Sequence, residues 1–214
     1  MKRYSTIILS CILLLAACLP ADAASRALRD FLAKVSQSCV SFEYSYVHRV
    51  NGTNVKGAGS VELQGNAFRM KGDGMEVWCD GRTRWVLDRE TKEAVIETVD
   101  PSGEDYAANP ALLISAVDKA FQEISAGTSK FGDKVVDVSI LSPRSKAEVP
   151  SDVALLKLYF KPGSGEFIGA EVKQSDRSVT DFTIRKLAYS DKKEASFRFD
   201  EKTLDSSYVI TDLR

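Results

Sequence analysis

Between Val40 and Val99 the chain reverses direction every few residues, and nothing else in the sequence constrains its fold as tightly. Val40, Phe42, Tyr44 and Tyr46 alternate with Ser41, Glu43 and Ser45, the period-2 pattern of a half-buried strand. Asn51-Gly52 follows, the pair best suited to a two-residue hairpin because both turn positions need positive φ. Gly65-Asn66, Gly72-Asp73-Gly74 and Asp80-Gly81 repeat the signal. They separate strands expected at Val55 to Gln64, Ala67 to Lys71, Met75 to Cys79, Thr83 to Asp88 and Glu93 to Val99. Turns this short join antiparallel neighbours, since a parallel pair needs a crossover of about a dozen residues or more. Gly57 and Gly59 inside one of these strands call for a bend or bulge.

Helical periodicity flanks this meander. From Ala24 to Gln37, Leu28, Phe31, Leu32 and Val35 form a stripe, with Ser25 as N-cap. A loop at Asp100-Pro101-Ser102-Gly103 precedes Asn109-Pro110, which opens a second helix with proline at its first position. Its apolar face is read as Leu112, Leu113, Ala116, Val117, Ala120, Phe121 and Ile124, followed by a flexible link at Ala126 to Ser129. Strand patterns then resume at Lys134 to Leu141, Val153 to Lys161, Phe167 to Gln174, Val179 to Tyr189, Ser196 to Asp200 and Tyr208 to Leu213. Ser142 to Asp152 reads as a polar loop. The expectation is one mainly β (α+β) domain of about 11–12 strands with two helices.

The first residues stand outside that domain. Met1-Lys2-Arg3, the apolar run Ile7 to Ala17 and the small residues through Ala23 have the order of a secretory signal peptide. Ala21-Asp22-Ala23 offers cleavage before Ala24, which assigns 1–23 to the leader and 24–214 to the mature domain. Leu15-Ala16-Ala17-Cys18 also looks like a bacterial lipobox, in which Cys18 carries lipid. After export Cys39 and Cys79 remain. In an oxidising compartment they form a disulfide or stay as two separate buried thiols. The chain-entropy model values the loop between them at roughly 3–4 kcal/mol.

Lysine plus arginine number 29 against 30 acids, which argues against a nucleic-acid groove driven by bulk charge. The single histidine, His48, lies beside the Asn51-Gly52 turn, where an exposed position is expected. It leaves no constellation for acid–base or nucleophilic catalysis and no metal site, so no enzyme activity and no cofactor are expected. Trp78 falls on the face opposite Val77, partly exposed or covered by the first helix.

A sheet this long curls strongly, because each strand twists against its neighbour. The inward faces are read as Phe42, Tyr44, Tyr46 and Leu63, then Phe68, Met70 and Val77, then Trp85, Leu87 and Ile96. In the second half they are Leu156, Leu158 and Phe160, with Ile168, Val172, Phe182 and Ile184, and the second helix adds Leu112, Leu113, Val117 and Phe121. Alternation alone leaves two readings open, an ordinary closed core or an incompletely filled, lipid-sized pocket.

Several stretches resemble the family of the outer-membrane lipoprotein carrier LolA. The best local match is Val77-Trp78-Cys79-Asp80-Gly81-Arg82-Thr83-Arg84-Trp85-Val86-Leu87-Asp88, which resembles that family's strand, Asp-Gly turn and Trp-containing strand. Gly59 to Leu63 with Phe68-Arg69-Met70 resembles the preceding hairpin, and Asn109-Pro110-Ala111-Leu112-Leu113 the start of its lid helix. The chain departs from the family at Gly65-Asn66-Ala67, where no arginine matches, and after Phe197-Arg198-Phe199, where a Pro-rich segment is missing. The resemblance implies an incomplete antiparallel β-barrel whose open side is covered by helices. It implies a periplasmic monomer that carries lipoprotein acyl chains from an inner-membrane lipoprotein-releasing transporter to an outer-membrane acceptor. Of the inward-facing residues, Phe42, Tyr44, Leu63, Phe68, Met70, Val77, Trp85, Leu87, Leu113, Val117, Phe121, Leu158 and Phe160 are the expected acyl contacts. A lipid-binding sensor and a Cys18-anchored envelope lipoprotein are the alternative functions.

Overall fold

The computed structural model describes residues 20–99, 109–144, 152–191 and 197–214. The expected leader core with Cys18, the loop at 100–103 and most of the loop at 142–152 lie outside the described residues.

Helix α1 (Pro20–Gln37) is followed by β1 (Cys39–Val50), β2 (Thr53–Gln64), β3 (Ala67–Gly72), β4 (Met75–Cys79), β5 (Thr83–Asp88) and β6 (Glu93–Thr98). Then come α2 (Pro110–Ala120), β7 (Phe121–Phe131), β8 (Lys134–Pro143), β9 (Val153–Phe160), β10 (Phe167–Gln174), β11 (Val179–Ser190) and β12 (Val209–Asp212). All twelve strands belong to one sheet in the order β12-β6-β5-β4-β3-β2-β1-β11-β10-β9-β8-β7. The ladders are antiparallel except β12 on β6, and β7 and β12 stand at opposite edges, so the sheet stays open.

The turns follow the local chemistry. Asn51 and Gly52 take φ of 50° and 78°, the left-handed pair that joins β1 to β2 without splaying them. Asn109 caps α2 by accepting from the amides of Ala111 (3.0 Å) and Leu112 (3.2 Å), with Pro110 behind it. Ser25, expected as the cap of α1, lies inside that helix and donates to Glu123 Oε2 at 2.8 Å.

Two strand assignments change. Helix α2 stops at Ala120, and β7 runs directly through Phe121, Ile124 and the expected flexible link. Gly127, Thr128 and the β-branched Ile124 are poor helix formers, and Ile124 sits at a bulge, 56% exposed. Conversely, residues 197–200 form no strand. Phe197 and Phe199 are buried between exposed neighbours, so the alternation is real, but Asp200 instead caps the 3-10 turn Glu201–Thr203. The strand count survives because one strand replaces the other.

The sheet is strongly concave. Helix α2 leads directly into β7 and also packs against β2, which stands six positions from β7 in the sheet order. Across a flat sheet that is about 29 Å at ordinary strand spacing, far more than the width of a helix, roughly 10–12 Å. In β2 and β3, whose pairing runs without the bulge expected at Gly57 and Gly59, a Cβ at Gly57, Gly59 or Gly72 would collide with Tyr46, Tyr44 or the neighbouring backbone. The absent side chains let the two tyrosine rings lie along the sheet.

The expected Cys39–Cys79 pairing is not present, and both thiols are buried. The sheet itself opposes it. Cys39 is on β1 and Cys79 on β4, with β2 and β3 between them. Three strand spacings come to roughly 14 Å, about twice the Cα separation a disulfide tolerates. They also face opposite ways: Cys79 belongs to the concave cluster, while Cys39 Sγ lies 3.7 Å from Glu62 Oε1 on the outer face.

Candidate functional site: the covered concave face

The concave face is one continuous apolar surface. It gathers Val40, Phe42 and Tyr44 of β1, Val61 and Leu63 of β2, Phe68 of β3 and Val77 of β4. From the other half come Leu141, Leu156, Leu158, Phe160, Phe167, Val172, Phe182 and Ile184. Leu63, Leu156, Leu158, Phe160 and Val172 expose 0% of their surface. What covers them is helical. Helix α1 contributes Ala27, Leu28, Phe31 and Val35, and α2 contributes Ala111, Leu113, Ile114, Val117 and Ala120.

The two helices are held differently. Phe31 of α1 inserts between Phe160 and Phe167, with ring centroids 6.1 and 4.6 Å away. Gly165, at φ 64°, brings the β9–β10 turn against Ala27, where an added Cβ would sit 3.3 Å from the alanine methyl. Helix α1 is therefore fastened by aromatic packing to β9 and β10. Helix α2 has no aromatic anchor before Phe121. At its C-terminal end the Arg144 amide donates to Ala120 O (2.9 Å) and its guanidinium to Asp118 O (3.3 Å). These bonds satisfy carbonyls that the helix leaves unpaired.

One end of the face is polar. Tyr46 donates to Asp73 Oδ2 at 3.1 Å. Burial, with Asp73 and Tyr46 nearby, pushes the Tyr44 hydroxyl up to about 12. Half-buried His48 pairs its Nδ1 with Thr180 Oγ1 at 2.8 Å, tying β1 to β11. Among the described residues no cluster of His, Cys, Asp or Glu gathers as a metal site. Chemically the face offers apolar contact, with hydroxyls at one end.

Of the residues expected to contact acyl chains, Phe42, Tyr44, Leu63, Phe68, Val77, Leu113, Val117, Phe121, Leu158 and Phe160 lie in this cluster, and Met70 packs on its margin. Trp85 and Leu87 do not. They face outward with Ile96 and Phe199 in a separate cluster. The register explains the correction: Val77 pairs with Val86, so Val86 shares the concave face and Trp85, opposite Trp78, does not. Ile168 also belongs to an outer cluster, with Tyr159 and Phe131. Trp78 is covered by Phe199 (5.8 Å) and the Arg69 guanidinium (4.7 Å) rather than by the first helix. Sequence reading left out Phe31, although its helical stripe contained it, and Ile114, one position off the apolar face assigned to the second helix.

No family model and no curated sequence matches the chain. Solved structures do resemble it. An uncharacterized conserved protein from Thermus thermophilus aligns with a TM-score of 0.50 at 12% identity, covering 88% of this chain and 98% of that one. A LolA superfamily protein from Nitrosomonas europaea aligns at 0.44 and 11% identity, over 80% and 97% of the two chains. A DUF1329 family protein from Desulfovibrio piger aligns at 0.46 and 9% identity, over 87% and 100%. The similarity is one of fold.

Proposed function

We propose that this chain is an exported carrier that holds the acyl chains of lipoproteins between the concave face and its helical cover. One observation carries the reading. The apolar floor of a half-closed sheet is roofed by helices, one of them without an aromatic anchor in its body, rather than by a second sheet. Each methylene removed from water is worth about 0.8 kcal/mol, so several acyl chains crossing an aqueous compartment need such a container. With both helices seated the floor is closed. Acyl chains enter when α2 moves aside and its Leu113, Ile114 and Val117 give up their contacts with the floor.

In this reading residues 1–23 direct export, residues 24–214 form the periplasmic carrier, and the chain acts as a monomer. The resemblance in sequence supplies the route, from an inner-membrane releasing transporter to an outer-membrane acceptor. Native mass spectrometry of protein purified from the cell envelope tests it. A co-purified acylated species is the expected result. A protein that is repeatedly empty and fails to bind a fluorescent acyl probe overturns the proposal.

One observation favours a second reading, in which the chain is an anchored envelope lipoprotein. Helix α1 begins at Pro20, two residues after Cys18, so cleavage before Ala24 removes its first turn whereas lipidation at Cys18 keeps it. Metabolic labelling with a fatty acid separates the two. A label abolished by Cys18→Ala supports the anchor, and an unlabelled protein supports the diffusing carrier.

A further inference from the structure

The β7–β8 hairpin does not continue the sheet to its tip. Phe131 stacks on Tyr159, with centroids 4.7 Å apart and planes at 28°, and its ring fills the place of a side chain over Gly169. The tip is thereby folded against the outer face of β9 and β10. Between it and the outward residues of β1 and β11 lies a groove of about 700 Å³. Tyr159, Phe131, Ile168 and Val47 give it apolar walls, while Lys130 and Lys134 stand on one side and Arg185 on the other.

The charges there are unequally compensated. Glu171 is paired with Lys157 at 2.8 Å and Asp181 with Arg49 at 2.6 Å. Among the described residues Lys130, Lys134 and Arg185 make no ion pair, and Arg185 donates only to Ser45 Oγ, at 3.3 Å. Asp133 in the turn is the one lining acid left to oppose three cations. The volume falls within the usual range for small-ligand sites, roughly 300–1,000 Å³.

We propose that this groove is a second ligand site, distinct from the concave face, for an amphiphile with an anionic head. The head sits among Lys130, Lys134 and Arg185, and the apolar body lies against Tyr159, Phe131 and Ile168. An extended peptide fits less well. The walls β1, β10 and β11 are internal strands with both edges paired, so they offer no main-chain hydrogen bonds to an added strand. Recognition falls to side chains, and these offer cations over aromatic and aliphatic surface.

Dihexanoyl phosphatidylglycerol, used below its micellar concentration, is the probe, and dihexanoyl phosphatidylcholine is the neutral-head control. By calorimetry the wild type should bind the anionic lipid at least about tenfold tighter, or about 1.4 kcal/mol. Lys130→Glu/Lys134→Glu/Arg185→Glu should abolish that preference, and Leu158→Arg on the concave face should retain it. Phe131→Ala, which removes the ring that seats the hairpin, should weaken it severalfold and serves if the charge variant does not fold. Equal binding of the two lipids by wild type overturns the inference, as does a preference that survives both outer-face changes. Full competition by inorganic phosphate also overturns it, since it reduces the groove to a simple anion site. A preference lost in Leu158→Arg but kept in the charge variant places the site on the concave face. That outcome sinks this inference and leaves the carrier reading standing.

Discussion

Glu76 shows how much one outward-facing side chain organises. It is 6% exposed and accepts from Arg89 (2.7 Å), Lys71 (2.9 Å) and the indole of Trp78 (3.0 Å), joining β3, β4 and the β5–β6 turn. Arg89 also donates to the Tyr208 hydroxyl, at 3.1 Å, so the C-terminal segment joins the same network. Burial pushes the Glu76 carboxyl up, but Arg89 and Lys71 outweigh it and hold the group below its ordinary 4.5. A depressed carboxyl stabilises the fold above its unfolded pKa, and that contribution is lost as pH falls through the folded value. Glu76→Gln should therefore cost about 1–3 kcal/mol near neutrality. The gap to wild type in urea midpoints should narrow on acidification below about pH 4.5. A gap that is the same at pH 7 and pH 3.5 contradicts the assignment. Tyr44 behaves oppositely. Raised to about 12, it stabilises fully below the ordinary 10, and its share is lost between pH 10 and 12, which urea midpoints of wild type against Tyr44→Phe across that range will show.

At the scale of elements, the two covering helices should respond differently to damage. Asn109→Ala removes the N-cap of α2 at a cost of about 1 kcal/mol. Hydrogen exchange should then quicken across residues 111–120 and leave 27–35 unchanged. If α2 competes with acyl chains for the floor, the same variant should bind a fluorescent acyl probe up to about fivefold more tightly. Unchanged or weaker binding removes α2 from the proposed entry path. Phe31→Ala should unfasten α1 and destabilise the whole domain by about 3–5 kcal/mol. The sheet order from β1 to β4 puts the cysteines in the same class of prediction. Denaturing, non-reducing labelling should find both Cys39 and Cys79 reactive, while the native protein protects them.

Elements were legible in the sequence where turn chemistry and alternation agreed. The run from β1 to β6 is written in Asn51-Gly52, Gly72-Asp73-Gly74 and Asp80-Gly81, and its boundaries differ from expectation by a few residues. Face assignment failed where both faces of a strand are apolar. Val86 packs inward and Trp85 outward, because the segment around Phe199 covers the outer side and an alternating pattern gives no sign of it. The end of α2 was missed for a related reason. Phe121 and Ile124 continue the helical spacing, which outweighed the weak helix formers after them, and the pairing of β7 with β8 turns the segment into strand. The concave cluster was legible as a set of inward residues. That helices cover its open side was legible too, whereas the contact that seats α1 was not, since it depends on Phe31 meeting Phe160 and Phe167 from distant parts of the chain.

The whole molecule makes its own prediction. If the concave face is the acyl site, its closed floor admits ligand only after an opening step, and the observed rate of acyl-probe binding should level off as probe concentration rises. A rate that stays linear to high concentration means the floor is open in solution. The unjoined edges have a further consequence. In a closed barrel the bore is fixed by strand number and shear, and widening it means breaking ladder hydrogen bonds. Here β7 and β12 never meet, so the girth of the sheet is an elastic variable. Splaying the seam leaves every rung intact and is resisted by α2, which reaches from β7 to β2. Under the proposed carrier reading such a container has no single fitting size, and loads of one chain or several would differ in how far the same clasp is sprung.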